Sequence, residues 1–146
     1  MLNHHRLSRK RGGARAHVIG EPWEMSQVET ARRALEDVRS GRELGRVGEV
    51  YHPQFVDHVN ALKHHGLAGA RKSVADYLAL LPDLRFVVDE QVSEGDRVVS
   101  RWTLTGTHRG RRVRVWGIVI SRFQDGKIVE DWAASDALTL ARQLGL

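Results

Sequence analysis

The stretch Arg97-Val-Val-Ser-Arg-Trp-Thr-Leu-Thr-Gly106, followed after a short Arg- and Gly-rich link by Arg112-Val-Arg-Val-Trp-Gly-Ile-Val-Ile-Ser-Arg-Phe123 and then Lys127-Ile-Val-Glu-Asp-Trp132, decides the fold. β-Branched and aromatic residues recur there with period 2, the pattern of half-buried antiparallel strands. Gln124-Asp125-Gly126 between the last two segments is a strong tight-turn signal, because Asp-Gly accepts the positive φ of short hairpins. The three segments predict a meander. Its curved inner face carries Asp131 among Trp and aliphatic residues, which raises the question of whether that carboxylate lines a pocket.

Upstream, Leu84 to Val92 reads as another strand, joined to the meander by a Ser93-Glu-Gly-Asp96 hairpin loop. A helix from about Leu67 to Leu81 precedes it, with Ala70, Val74, Tyr77, Leu78 and Leu81 along one side and Pro82-Asp83 as its stop. Phe55 to Val59 can form a short strand, and Lys63-His64-His65-Gly66 reads as part of a polar loop. The first helix spans Ser26 to about Arg39, with Val28, Ala31, Ala34, Leu35 and Val38 at helical spacing; Ser26 and Glu29 have capping-box spacing, and Ser40-Gly41 ends it. A short helix from Glu43 to Val50 ends before Tyr51-His52-Pro53. Ala137 to Leu144 is a final helix with Asp136 at its N-cap. Helices first, then a long antiparallel sheet, is the α+β class with helices packed on one face.

At 146 residues, 41% hydrophobic and 28% charged, the chain suits one globular domain with a core and a ligand-sized hollow. There is no Cys, so disulfides, thiolate nucleophiles and Cys-based zinc sites are excluded, in keeping with a cytoplasmic location. No apolar run approaches the ~18 residues needed to cross a bilayer, so no membrane partner is expected. The net charge of +5 is uneven: residues 1–24 hold five basic and two acidic side chains. They read as a solvated, disordered leader without the apolar core of a secretory signal, rather than as a nucleic-acid arm, and the folded domain is expected over residues 25–146. His64-His65 lacks a His-x-His or Glu-x-x-His frame, and no phosphate-binding Gly loop or Ser-His-Asp set is present. Neither a metal nor a cofactor is expected.

Tyr51-His-Pro-Gln-Phe-Val-Asp-His58, Leu81-Pro-Asp-Leu-Arg-Phe86, Glu94-Gly-Asp-Arg-Val98, Arg101-Trp-Thr-Leu-Thr-Gly-Thr-His108, Gly117-Ile-Val-Ile-Ser-Arg-Phe123, Asp125-Gly-Lys-Ile-Val-Glu130 and Arg142-Gln-Leu-Gly145 occur in this order. Together they resemble the SnoaL-like polyketide cyclases and ester cyclases of the nuclear transport factor 2-like, or ketosteroid isomerase-like, superfamily. The resemblance implies a cone-shaped roll: a strongly curved antiparallel sheet wrapped around the N-terminal helices, with an apolar pocket open at one end. It also implies a homodimer formed through the outer sheet face. In the polyketide cyclases it implies one aspartate on the last strand as general acid/base, and that position falls on Ala133 here.

Acid/base work then passes to a neighbour. Asp131 shares a strand face with Ala133, and a carboxylate held dry there has its pKa raised toward a useful range; the alternative is a solvated or Arg-paired strand end. His108, at the exit of its strand, is either a proton-exchanging partner at the pocket mouth or a turn histidine capping backbone. Asp57 and His58 point to opposite faces, and His58 matches the more recurrent family position. Tyr51 can offer a hydroxyl to a carbonyl or lie in the core. Trp102, Trp116 and Trp132 form a flat wall for an apolar or aromatic ligand if they face inward; otherwise they fill the core or an interface. The short His108-Arg-Gly-Arg-Arg-Val113 link, where relatives have a longer Pro-rich one, puts Arg109, Arg111 and Arg112 at the rim or on the outer sheet. The function expected is a small cofactor-independent enzyme acting by general acid/base catalysis on a polyketide-like or cyclic carbonyl or epoxide substrate. The alternative is a non-catalytic small-molecule-binding or dimerisation module of the same fold.

Overall fold

The strands from Arg85 onward run as a four-stranded meander, β3 (Arg85–Glu94), β4 (Arg97–His108), β5 (Arg111–Gln124) and β6 (Lys127–Ser135). The computed structural model of the chain describes residues 26–59 and 62–146; the leader expected over residues 1–24 lies outside them. Two turns have positive φ at both central residues, Arg109-Gly110 between β4 and β5 and Asp125-Gly126 between β5 and β6. That is the mirror-image turn whose twist matches the flanking strands.

Two more strands complete the sheet: β1 (Tyr51–Val59), parallel to β6, and β2 (Leu62–His65), antiparallel to β1, in the order β2-β1-β6-β5-β4-β3. The Lys63-His64-His65 segment, expected in a loop, is thus an edge strand. Lys63, His64 and His65 are all polar and carry no period-2 signal, and an edge strand pairs on one side only.

The helices are α1 (Gln27–Arg33), which continues as a π-helical segment (Ala34–Arg39), α2 (Val47–Val50), α3 (Gly66–Leu80) and α4 (Ala137–Gln143). Ser26 caps α1 by accepting from the Glu29 amide at 3.1 Å, and Asp136 caps α4 by accepting from the Thr139 amide at 2.9 Å. The helix expected from Glu43 to Val50 is a 3-10 turn (Leu44–Arg46) leading into α2, and the first helix departs from expectation in its π turn. That turn widens the helix by one residue per turn, a distortion frequent at functional sites.

On β4 and β5 burial alternates almost without interruption, with Val98, Ser100, Trp102 and Leu104 inward opposite Ser121, Val119, Gly117 and Val115. Gly117 is where Trp102 lies: a Cβ there would clash with the indole Cζ2. Glycine in a strand interior permits this close approach. One apolar cluster, including Val38, Val47, Tyr51 and Phe55, packs the first helix and α2 against the sheet. A second, including Leu35, Phe86, Trp102 and Val119, surrounds the opposite end. Burying a side chain such as Phe55, which is 0% exposed, contributes about 1.5–3 kcal/mol.

Candidate active site

Asp131 reaches the inner face through a bulge. Arg122 pairs with Glu130 and Phe123 with Ile128, which leaves Val129 as an extra residue on β6. Regular alternation from the buried Ile128 would turn Asp131 outward; the extra residue restores it to the inside. Asp131 and Ala133 both line a hollow with Leu35, Arg39, Asp57, Tyr77, Phe86 and Trp102, and its volume is about 410 Å³ with the open mouth included. The shared face of Asp131 and Ala133 is as the sequence predicted.

The floor is charged. Asp57 stands beside Asp131 in the parallel β1–β6 register. Arg39, delivered by the last residue of the π turn, donates from Nη2 to Asp57 Oδ2 at 2.7 Å and lies 4.0 Å from Asp131 Oδ2. Its Nε donates to Tyr51 Oη at 2.8 Å and its Nη1 to Ser73 Oγ at 3.0 Å. Asp131 Oδ1 is buried without a hydrogen-bond partner.

Burial pushes the Asp131 carboxyl up to about 7; the neighbouring Asp57 adds to the rise, and Arg39 and Ser121 only partly offset it. Burial disfavours charge on Arg39 as well, but Tyr51, Asp57 and Asp131 facing it outweigh that and hold the guanidinium charged. Burial likewise raises the Tyr51 phenol, with Asp131 and Asp57 adding to it against Arg39. The result is an ion pair, Arg39–Asp57, beside a carboxyl that exchanges its proton near neutrality.

Several expected site residues lie elsewhere. His58 follows the inward Asp57 and therefore faces out, where Nε2 donates to Glu130 Oε2 at 2.8 Å and the ring stacks on Trp132 with centroids 5.6 Å apart. Trp132 follows the inward Asp131 and faces out for the same reason, with the Arg97 guanidinium 5.2 Å from its ring centre. Trp116 is on the outer face, 57% exposed. Of the three tryptophans only Trp102 lines the hollow. His108 has inward parity on β4 but lies beyond Gly106, against which Leu81 packs to close that end. Its Nδ1 donates to the Leu80 carbonyl at 2.8 Å, which is the turn-capping alternative. Tyr51 is 1% exposed and behind the hollow, holding Arg39. Arg112 stays at the hairpin tip, 3.8 Å from Asp83.

The sequence reading does not single out Arg39 and prefers His58 to Asp57. Signals existed for both. Arg39 is four residues after Leu35 and so continues the buried side of its helix, and Asp57 is two residues after Phe55, an inward position on β1. Among the described residues no group of three or more His, Asp or Glu is placed to hold a metal ion, and no helix is long and apolar enough to cross a membrane.

Solved structures share the overall fold. An inferred polyketide cyclase from Bacillus cereus is 28% identical, with 82% of this chain and 80% of that chain covered and a TM-score of 0.76. AclR from Streptomyces galilaeus, an inferred hydroxylase, is 28% identical, with 82% and 98% covered and a TM-score of 0.67. A Catenulispora acidiphila protein with a ketosteroid isomerase-like fold, solved with trimethylamine, is 16% identical over 84% and 95% of the chains at a TM-score of 0.71, a likeness of fold alone. No curated protein matches the chain. The family model of the SnoaL-like polyketide cyclase matches residues 29–144. With the curved sheet, the helices on its concave side and the hollow between them, that match over most of the sequence makes the chain a member of the SnoaL-like polyketide cyclase family.

Proposed function

We propose that this chain is an enzyme whose own side chains carry general acid/base catalysis on an uncharged polyketide-like or other cyclic carbonyl or epoxide substrate, by cyclisation, isomerisation or ring opening. The observation that carries this reading is Asp131: a buried carboxyl with one unpartnered oxygen, in the wall of an apolar hollow and with a pKa near 7. A group that populates both protonation states at neutral pH serves as base and then as acid in one cycle. In a ring-forming aldol step, the Asp131 carboxylate takes a proton from the carbon next to a carbonyl. The enolate carbon bonds to a second carbonyl carbon, and the resulting alkoxide recovers the proton from Asp131. Arg39, in the floor of the hollow, stabilises the negative charge that develops.

Ala133 favours a second reading. It lines the hollow where the cyclases' aspartate is expected, so the pocket has one carboxyl fewer and a more apolar wall. A binding module that sequesters an apolar small molecule fits that wall. The two readings separate on Asp131→Asn, assayed by mass spectrometry on a panel of polyketide-derived diketones, cyclic enones and epoxides. Turnover is expected to fall by about 10²–10⁴-fold, the usual worth of a general acid/base, with affinity for the same compounds within a few fold. Binding without turnover in the unaltered chain would leave the sequestering module.

A further inference from the structure

Arg39 stands between two carboxylates and is committed to one of them. It lies 2.7 Å from Asp57 and 4.0 Å from Asp131, and Tyr51 and Ser73 anchor its other two nitrogens at 2.8 and 3.0 Å. Each nitrogen therefore has a nearest partner other than Asp131. In a buried site a direct, charge-assisted hydrogen bond is much stronger than a contact at 4 Å. A guanidinium released from Asp57 would close on the neighbouring carboxylate, whose Oδ1 has no partner.

We propose that Asp57 is a positioning residue which, with Tyr51 and Ser73, holds the Arg39 guanidinium back from a direct hydrogen bond to Asp131 and so leaves Asp131 Oδ1 without a partner and free to exchange a proton with a ligand. This rests on the reading of Asp131 as the proton-transfer group. The charged and titratable side chains around the cluster are Arg39 from the π turn, Asp57 and Tyr51 from β1 and Tyr77 from α3, and β5 contributes the Ser121 hydroxyl. Burial raises Asp131 first, Asp57 raises it further and Arg39 pulls it down. Loss of Asp57 removes the repulsion and frees the guanidinium at once. Both changes favour the ionised Asp131.

The test is a carboxyl NMR titration of the full chain with isotopically labelled aspartate, the Asp131 signal being assigned by its loss in Asp131→Asn. In Asp57→Asn the Asp131 midpoint is expected to fall by about 1–3 pH units, the usual effect of an adjacent guanidinium. In Arg39→Gln it should stay at the wild-type value or rise. If Asp57→Asn does not fold, Tyr51→Phe combined with Ser73→Ala keeps both charges, removes the other two anchors and should shift the midpoint the same way. A wild-type midpoint near neutrality that none of these substitutions lowers would overturn the positioning role alone. A wild-type midpoint in the ordinary carboxylate range would overturn the role of Asp131 and the positioning role with it.

Discussion

A carboxyl 5% exposed and beside a second carboxylate is costly to ionise, and at Asp131 burial first and Asp57 second lift the pKa to about 7. In the unfolded chain the same group titrates near ~3.9. The folded protein therefore binds this proton more tightly. Stabilisation from that source is complete below about pH 4 and is lost as pH rises through about 7. Asn has no proton to lose, so the stability of Asp131→Asn relative to the unaltered chain should grow from about pH 5 to about pH 8 by something of order 2–3 kcal/mol. Urea denaturation of both proteins at the two pH values measures it. A variant that loses turnover and gains stability at alkaline pH would mark Asp131 as a group retained for chemistry; a pH-independent difference would mean that it does not titrate in this window. The candidacy of Asp131 was legible because a carboxylate interrupts an apolar, alternating segment. The same alternation rule excludes Trp132 from the pocket once Asp131 is inside, and applied strictly it would have placed Asp57, not His58, with Phe55.

The elements were legible wherever periodicity is strong, as on β4 and β5, and illegible where the backbone departs from a period. Nothing in Ala34-Leu-Glu-Asp-Val-Arg39 signals a π turn, and the bulge at Val129 is hidden because Ile128 and Val129 are both apolar. The bulge nonetheless decides the side of the sheet on which Asp131 falls, and this has a measurable consequence. Deleting Val129 should close the bulge, leave Ile128 and Asp131 both inward, and cost mainly one valine, 7% exposed, or about 1.5–3 kcal/mol. Inserting one alanine between Val129 and Glu130 should turn Asp131 to solvent or unfold the sheet. The carboxyl titration separates the two: a midpoint near neutrality retained in the deletion and lost in the insertion is the expected pair. The reverse pair would mean that the bulge does not set the facing of Asp131.

At the scale of the whole molecule, β1 lies parallel and adjacent to β6, so two segments far apart in sequence place Asp57 next to Asp131 and let Arg39 reach both. No local pattern records that contact, which is why the carboxylate pair was not read from a single chain even though the α+β class was. The opposite face of the same sheet has its own consequence. Trp116 and Ile118, two residues apart on β5, are 57% and 39% exposed on the side away from the hollow. Apolar area of this kind on a central strand is where a second copy of the chain would gain most by covering it, and a tryptophan there supplies the large, rigid contact typical of interface anchors. Sedimentation of the unaltered chain is expected at twice the chain mass, and Trp116→Glu is expected to sediment as the monomer. Because Trp116 does not line the hollow, the Asp131 titration should be the same in both. A monomer for the unaltered chain at micromolar concentration would leave the outer face without a partner copy, whereas a change in the Asp131 midpoint in Trp116→Glu would show the two faces of the sheet to be coupled.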